Sequence, residues 1–361
     1  MRVLQIITSL GTGGAEKLLV DTIPMYKNYG IDIEVLLING NRTPFYDILE
    51  NQHVKIQSLC TGNLKKVYNP FLIIKFIPFI KKKYDIIHVH LFPTLYWVVL
   101  ARLISFSKVR LIFTEHSTHN RRMERKLWQI VDRFIYRYYQ KIIAVTEDVF
   151  TDINSYLKLE DSRFVVIKNG INLSPYSVSS HQKPISSDRI IKLIQIAGFR
   201  YQKDQITVIR SLLYLPDNVH LLLVGDGDTR PQCERLVEEL KLSGRVFFLG
   251  VRTDVPNLLF ASDIVIQSSL YEGFGLAAVE GMAAGKPVIA SDISGFSEVV
   301  GEVGILFPVR DEKALAKEVN KLLSDSGYYH EVAARCKAFS KKYDMRIMVH
   351  KYINLYKNLC T

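Results

Sequence analysis

Two doubly wound α/β domains in tandem are the architecture this sequence predicts, and three observations predict it. Short β-rich runs alternate with helical patterns along nearly the whole chain. The alternation pauses once, in a stretch rich in Ser, Pro and Asn. A length of 361 residues is long for one core and comfortable for two. The expected division is a first domain over residues 1–172, a linker over 173–188, a second domain over 189–342, and a last helix over 343–361 that crosses back to the first.

The first domain is read from the runs Val3–Ile7, Ile33–Ile38, Ile86–His90, Arg110–Thr114, Lys141–Val145 and Phe164–Ile167. Helical stretches such as Ala15–Tyr29 and Trp128–Gln140 lie between them. The pause is KNGINLSPYSVSSHQKPISSD, Lys168–Asp188. Alternation restarts with strands at Ile190–Ala197, Val219–Val224, Val246–Leu249, Ile264–Gln267 and Val288–Ala290. Helices are expected near Asp204–Leu213, near Arg230–Leu240, from about Phe274, and over Met345–Leu359. Parallel strands of this kind carry ligands at their carboxyl ends, and two such sheets are expected to face each other across a cleft.

Composition excludes several classes. The first apolar run, MRVLQII, is interrupted by Gln5 and reads as a buried strand rather than a leader. No segment reaches the roughly 18 apolar residues of a membrane span. Cys60, Cys233, Cys336 and Cys360 are scattered without a CxxC pair, which argues against a zinc site or a disulfide framework and fits a reducing cytosol. The net charge of +11 is uneven: residues 1–175 hold 24 Lys and Arg against 15 Asp and Glu. A basic first half points to an anionic partner.

The stretch SSLYEGFGLAAVEGMAAGKPVIAS, Ser268–Ser291, carries the most chemistry. Gly273 and Gly275 let the backbone approach a ligand, and the helix that follows adds the positive end of its dipole, a combination suited to a diphosphate. Glu280 in the second turn is placed to accept both hydroxyls of a ribose, and Glu272 to reach hydroxyls of an attached sugar. Glu pairs at one spacing are common, so the Gly-rich strand–helix setting carries that reading. In IAGFRYQKD, Arg200 and Lys203 follow a strand end and suit a leaving diphosphate; two surface cations on a solvated loop would look the same.

Other motifs are weaker. LLLVGDGDTR spells Asp226-Gly-Asp228, read as a tight strand–helix turn rather than a metal site. SLGTGGAEK has Gly11 and Gly13 of a dinucleotide fingerprint but Glu16 at its third glycine, which disfavours an NAD dehydrogenase and leaves a Gly-rich turn able to face a phosphate or an acceptor. In FTEHSTHNRR, His116 stands just past a strand end with Glu115 and His119 near; it could bond a sugar hydroxyl or cap the next helix. His88 and His90 alternate along one strand and read as packed or supporting residues rather than metal ligands. KKVYNPFLIIKFIPFIKKK and RRMERKLWQIVDRFIYRYYQK mix apolar, aromatic and basic residues, as an anionic bilayer surface or a buried amphipathic helix would require.

In combination these motifs carry a resemblance. With SLYEGFGLAAVE, VIKNGIN, VGDG, FFLGVRTDV, GKPVIAS and GGAE in this order, the chain resembles, nearly end to end, the retaining glycosyltransferases of family 4, or glycosyl transferase group 1. The resemblance implies two Rossmann-like domains in the GT-B architecture, with the donor held mainly by the second. It implies that Glu280 binds the ribose, that Glu272 with the backbone of Gly273, Phe274, Gly275 and Leu276 holds sugar and diphosphate, and that Lys203 binds the leaving phosphate. His116 matches the family's His beside the donor sugar, Gly13 and Gly14 its loop beneath the diphosphate, and Val251 and Arg252 the neighbourhood of the base. The family's Arg five residues before the Lys is here Gly198; Arg200 is the expected substitute.

The expected activity is therefore metal-independent, retaining transfer of a hexosyl or N-acetylhexosaminyl group from a nucleotide diphosphate sugar, by default a UDP-sugar. The expected acceptor is a lipid-linked saccharide of bacterial surface polysaccharide synthesis, met at the inner face of the cell membrane by a cytoplasmic, peripheral enzyme. No cofactor and no nucleic-acid partner are expected. The rival readings are a nucleotide-sugar epimerase of the same architecture and a non-catalytic protein bound to a membrane surface.

Overall fold

The computed structural model describes residues 1–117, 123–177 and 189–361. Two compact units result: Met1–Gly170 with Met345–Thr361, and Ile171–Asp344. Most of the expected linker, residues 178–188, lies outside the described residues, as do His119, Arg121 and Arg122.

The first unit is built on a seven-stranded sheet of β1 (Arg2–Ile7), β2 (Asp32–Asn39), β3 (Lys55–Cys60), β4 (Ile86–His90), β5 (Arg110–Glu115), β6 (Lys141–Ala144) and β7 (Phe164–Val166). All neighbours run parallel, in the order β3-β2-β1-β4-β5-β6-β7. Val, Ile and Leu fill the strands because both faces are covered, so β1 and β4 are buried almost throughout. The order reverses between β1 and β4, where Gln5 lies opposite His88. The last helix, Met345–Cys360, belongs to this unit and sets Tyr356 against Tyr26 of the helix Gly14–Asn28, ring centroids 5.9 Å apart.

The second unit carries β8 (Ile191–Ile196), β9 (Val219–Val224), β10 (Val246–Gly250), β11 (Ile264–Gln267), β12 (Val288–Ser291) and β13 (Ile305–Phe307). They are all parallel, in the order β10-β9-β8-β11-β12-β13. Here the order reverses between β8 and β11, so the turns after these two strands emerge side by side.

Eleven of these strands coincide with β-rich runs in the sequence. The other two do not. β3 is an edge strand in which only Leu59 is buried, so its residues KIQSLC show no continuous apolar run. β13, three residues long like β7, is not among the expected runs.

Candidate active site

The turns after β8 and β11 are tied together by buried polar groups. Gln195, on β8 and almost fully buried, donates from Nε2 to the Lys203 carbonyl at 2.9 Å and to Ser268 Oγ at 3.0 Å. Ser268 Oγ donates to the Asp204 carbonyl at 2.9 Å, and the Leu270 N–H to the Gln202 carbonyl at 2.8 Å. Asp204 takes the left-handed conformation, φ 44°, which turns the chain sharply into the helix Gln205–Ser211. With both turns held, the Lys203 ammonium meets the Glu272 carboxylate in a half-buried ion pair. The sequence separates these two residues by 69 positions; the sheet order joins them.

The Gly-Phe-Gly turn is shaped by close contact. Gly275 has φ +85°, and the ring of Phe296 fills the space its Cβ would need. Gly295 lies so near the turn that a Cβ there would overlap the Glu272 carbonyl. Gly275 is the N-cap of the helix Leu276–Ala283 and, as a glycine, brings no side-chain cap of its own. Glu280 is 6% exposed on it.

Arg200 is exposed, with Nε 3.9 Å from the place of a Cβ on Gly198. It also lines a recess of about 320 Å³ with Tyr201, Asp204, Arg210, Leu270 and Arg310. Val251 and Arg252 are exposed beyond β10, at the edge of the sheet; Arg252 pairs with Asp254 at 2.7 Å, not with the Lys203–Glu272 group. Asp226 and Asp228 are exposed, and Asp226 lies 3.7 Å from Arg230. Among the described residues no cluster of three or more His, Cys, Asp or Glu side chains is arranged to hold a metal ion.

In the first unit, Gly13 is the N-cap of the helix Gly14–Asn28, and a Cβ on it would overlap the Glu16 carboxylate, so Glu16 folds back over the glycine turn. His116 follows β5, with Nε2 3.2 Å from His90 Nδ1. The N-cap of the helix Lys126–Tyr136 is Arg125, ten positions after Glu115. His88 and His90 lie on one face of β4 with ring centroids 4.2 Å apart. Burial holds the imidazoles neutral, His88 pushed down to about 3 and His116 to about 4.

Gln195, Ser268 and Gly295 are absent from the sequence-based assignment. A polar residue inside an apolar strand, such as Gln195 in IKLIQI, was the available signal for the first; only the fold reveals the other two.

Comparison with known proteins fits these units. The Anabaena protein HepE in complex with UDP-glucose has the same fold, with TM-score 0.86 and 24% identity over 99% of this chain and 100% of that one. The protein is thus a GT-B protein, two Rossmann-like units in one chain. Residues 12–175 match the family model for Glycosyltransferase Family 4, and residues 179–343 the model for Glycosyl transferases group 1. The chain belongs to this family of glycosyltransferases. An uncharacterized glycosyltransferase of Methanocaldococcus jannaschii is 29% identical over 76% of this chain and 75% of its own. The N-acetylgalactosamine-N,N'-diacetylbacillosaminyl-diphospho-undecaprenol 4-alpha-N-acetylgalactosaminyltransferase of Campylobacter jejuni is 25% identical over 93% and 94% respectively.

Proposed function

We propose that the protein transfers a hexosyl or N-acetylhexosaminyl group from a UDP-sugar to a hydroxyl of a lipid-linked saccharide, with retention at the anomeric carbon, in the synthesis of a surface polysaccharide. The observation that carries this reading is the Lys203–Glu272 pair at the adjoining ends of β8 and β11, beside the Gly-Phe-Gly turn. As the bond from the anomeric carbon to the β-phosphate oxygen breaks, its electron pair leaves with the diphosphate. Lys203, Arg200 and the N–H groups of Gly273–Leu276 neutralise that charge, and the leaving phosphate takes the proton of the attacking hydroxyl. Glu272 holds the sugar, Glu280 the ribose, and Val251 and Arg252 flank the base. His116 is assigned a contact with the transferred sugar, and Gly13 and Gly14 a place beneath the diphosphate. Fixed cations and backbone dipoles supply the neutralisation, so no metal is needed.

The UDP-glucose complex of the Anabaena protein and the undecaprenol-linked acceptor in the name of the Campylobacter jejuni relative support the choice of substrates. The test is nucleotide release from a panel of nucleotide sugars in EDTA, with and without a membrane lipid extract. One UDP-sugar is expected to respond, more strongly with lipid, and Glu280→Ala should weaken its binding by about tenfold or more, the loss of a bidentate charged hydrogen bond. Activity that EDTA abolishes and Mn²⁺ restores would overturn the metal-free reading. Conversion of donor without nucleotide release would establish the epimerase instead.

The membrane part of the proposal rests on exposed apolar surface. Among the described residues no helix is long and apolar enough to cross a membrane. On the helix Lys126–Tyr136, however, Leu127 is 73% and Ile130 69% exposed, with Phe134 also in solvent and Arg125, Arg133 and Arg137 around them. Tilted and edge-on ring contacts link the exposed Trp128 through the buried Tyr96 to Phe92 and Tyr68, and Phe71 nearby in the chain is 72% exposed. Apolar side chains ringed by cations suit the surface of an anionic bilayer. Replacing Leu127, Ile130 and Phe134 together with Ser should weaken partition onto phosphatidylglycerol vesicles by at least about tenfold. Charge reversal at Arg121, Arg122 and Arg125 should loosen it further, and unchanged sedimentation with vesicles in both variants would remove this surface from the proposal.

A further inference from the structure

A chain of buried hydrogen bonds leads from the C-terminal helix to His116. Gln5 donates from Nε2 to the Tyr356 hydroxyl at 3.1 Å. Its carbonyl oxygen therefore faces His90 Nε2, 2.8 Å away. A carbonyl only accepts, so His90 Nε2 carries the hydrogen. Burial lowers the His90 pKa well below the ordinary value and keeps the ring neutral, which leaves Nδ1 bare. The group facing that bare nitrogen is His116 Nε2, at 3.2 Å. It must be the N–H. In a neutral ring the other nitrogen, Nδ1, is then a lone pair, and among the described residues it has no hydrogen-bond partner.

The rest of the chain agrees with this order. The Tyr356 hydroxyl, having accepted from Gln5, donates to His88 Nδ1 at 2.7 Å. His88 Nε2–H then reaches Thr114 Oγ1 at 2.7 Å, and Thr114 lies 3.3 Å from the Tyr352 hydroxyl. Each donor meets an acceptor. Strand register sets the participants: Gln5 opposite His88 across β1 and β4, and His90 opposite Thr114 across β4 and β5.

We propose that His90, held by Gln5 and Tyr356, is a positioning residue that fixes His116 in one tautomer, with Nε2 protonated and Nδ1 free to accept. His116 then takes a hydrogen bond from a sugar hydroxyl and rejects a group that can only accept, which makes this chain a determinant of donor choice. The inference rests on the reading of His116 as a sugar contact; the tautomer itself does not depend on that reading.

The experiment separates the two. In full-length protein isotopically labelled at the histidine nitrogens, long-range proton–nitrogen spectra at neutral pH report each ring's tautomer without any ligand. His116→Asn assigns the signals. The expected result is a protonated Nε2 and a bare Nδ1 at His116 in the wild type. Tyr356→Phe, which removes the acceptor of the Gln5 amide, should give mixed tautomers at His116. With the donor turned over best in the panel, Tyr356→Phe should lower kcat by about tenfold while moving KM less than about threefold. A purely structural role for Tyr356 would lower the melting temperature and leave the His116 nitrogen shifts alone. A protonated Nδ1 in the wild type, the order with every bond reversed, overturns the proposal, and so do unchanged shifts in Tyr356→Phe. Wild-type kinetics in His116→Asn would instead remove the sugar contact.

Discussion

Lys203→Ala is expected to lower kcat by about two to three orders of magnitude at saturating donor, the cost of removing one fixed donor to a developing negative charge. Two effects add: on the proposed mechanism the leaving phosphate loses a neutralising cation, and Glu272 loses the ammonium that pairs with it. Lys203→Arg keeps the charge but replaces a compact ammonium by a wider fork, so its loss should be smaller and should fall mainly on kcat. Glu280→Ala, by contrast, should act mainly on donor affinity, because the ribose contact proposed for Glu280 would be made alike in ground and transition states. A Lys203→Ala enzyme that is folded, binds donor and turns over at the wild-type rate would end the assignment of the leaving group to this corner of the sheet.

Gly295→Ala is expected to cost about a hundredfold in kcat/KM although residue 295 carries no side chain to the site. A Cβ there would overlap the Glu272 carbonyl, and that backbone has little freedom to retreat. The next residue along, Phe296, already fills the space beside Gly275. The Gly-Phe-Gly turn must shift, and with it Glu272 and the N–H groups that follow. Some stability should go too, of order 1–3 kcal/mol for an overpacked contact. Gly244→Ala is the control, since a Cβ on Gly244 meets nothing within 4 Å. Equal activity of the two variants would mean that the turn adapts freely and that its close packing is not what places Glu272.

The strands were legible because a parallel sheet covered on both faces demands continuous Val, Ile and Leu, and eleven runs show it. KIQSLC was missed because an edge strand can leave most of its residues partly exposed and so shows no continuous apolar run; ILF, as short as the recognised FVV of β7, is not among the expected runs. At the site, glycine was the informative residue: Gly273 and Gly275 announced a turn near a helix start, and the turn is there. What the sequence could not show is adjacency. Lys203 reaches Glu272 only because β8 and β11 are neighbours, with β9 and β10 placed on the far side of β8. The same holds for His116, whose partner His90 lies on β4 and is linked in turn to Gln5 on β1 and through it to Tyr356 on the last helix. Gln5 and Gln195 each interrupt an apolar strand, and each turns out to anchor a polar network next to a candidate residue.

The helix Met345–Cys360 has a bearing on how the molecule comes into being. Residues 171–344 form one unbroken segment, so the second unit can assemble as soon as that segment has left the ribosome. The first unit cannot be finished then. Its strands are synthesised first, yet Gln5 and His88 wait for Tyr356, and Tyr26 for the same ring. Until those last turns arrive, Gln5 and His88 lack the Tyr356 hydroxyl and Tyr26 lacks its ring partner. The order of synthesis and the order of completion are thus reversed, and the half made earliest is the half sealed last.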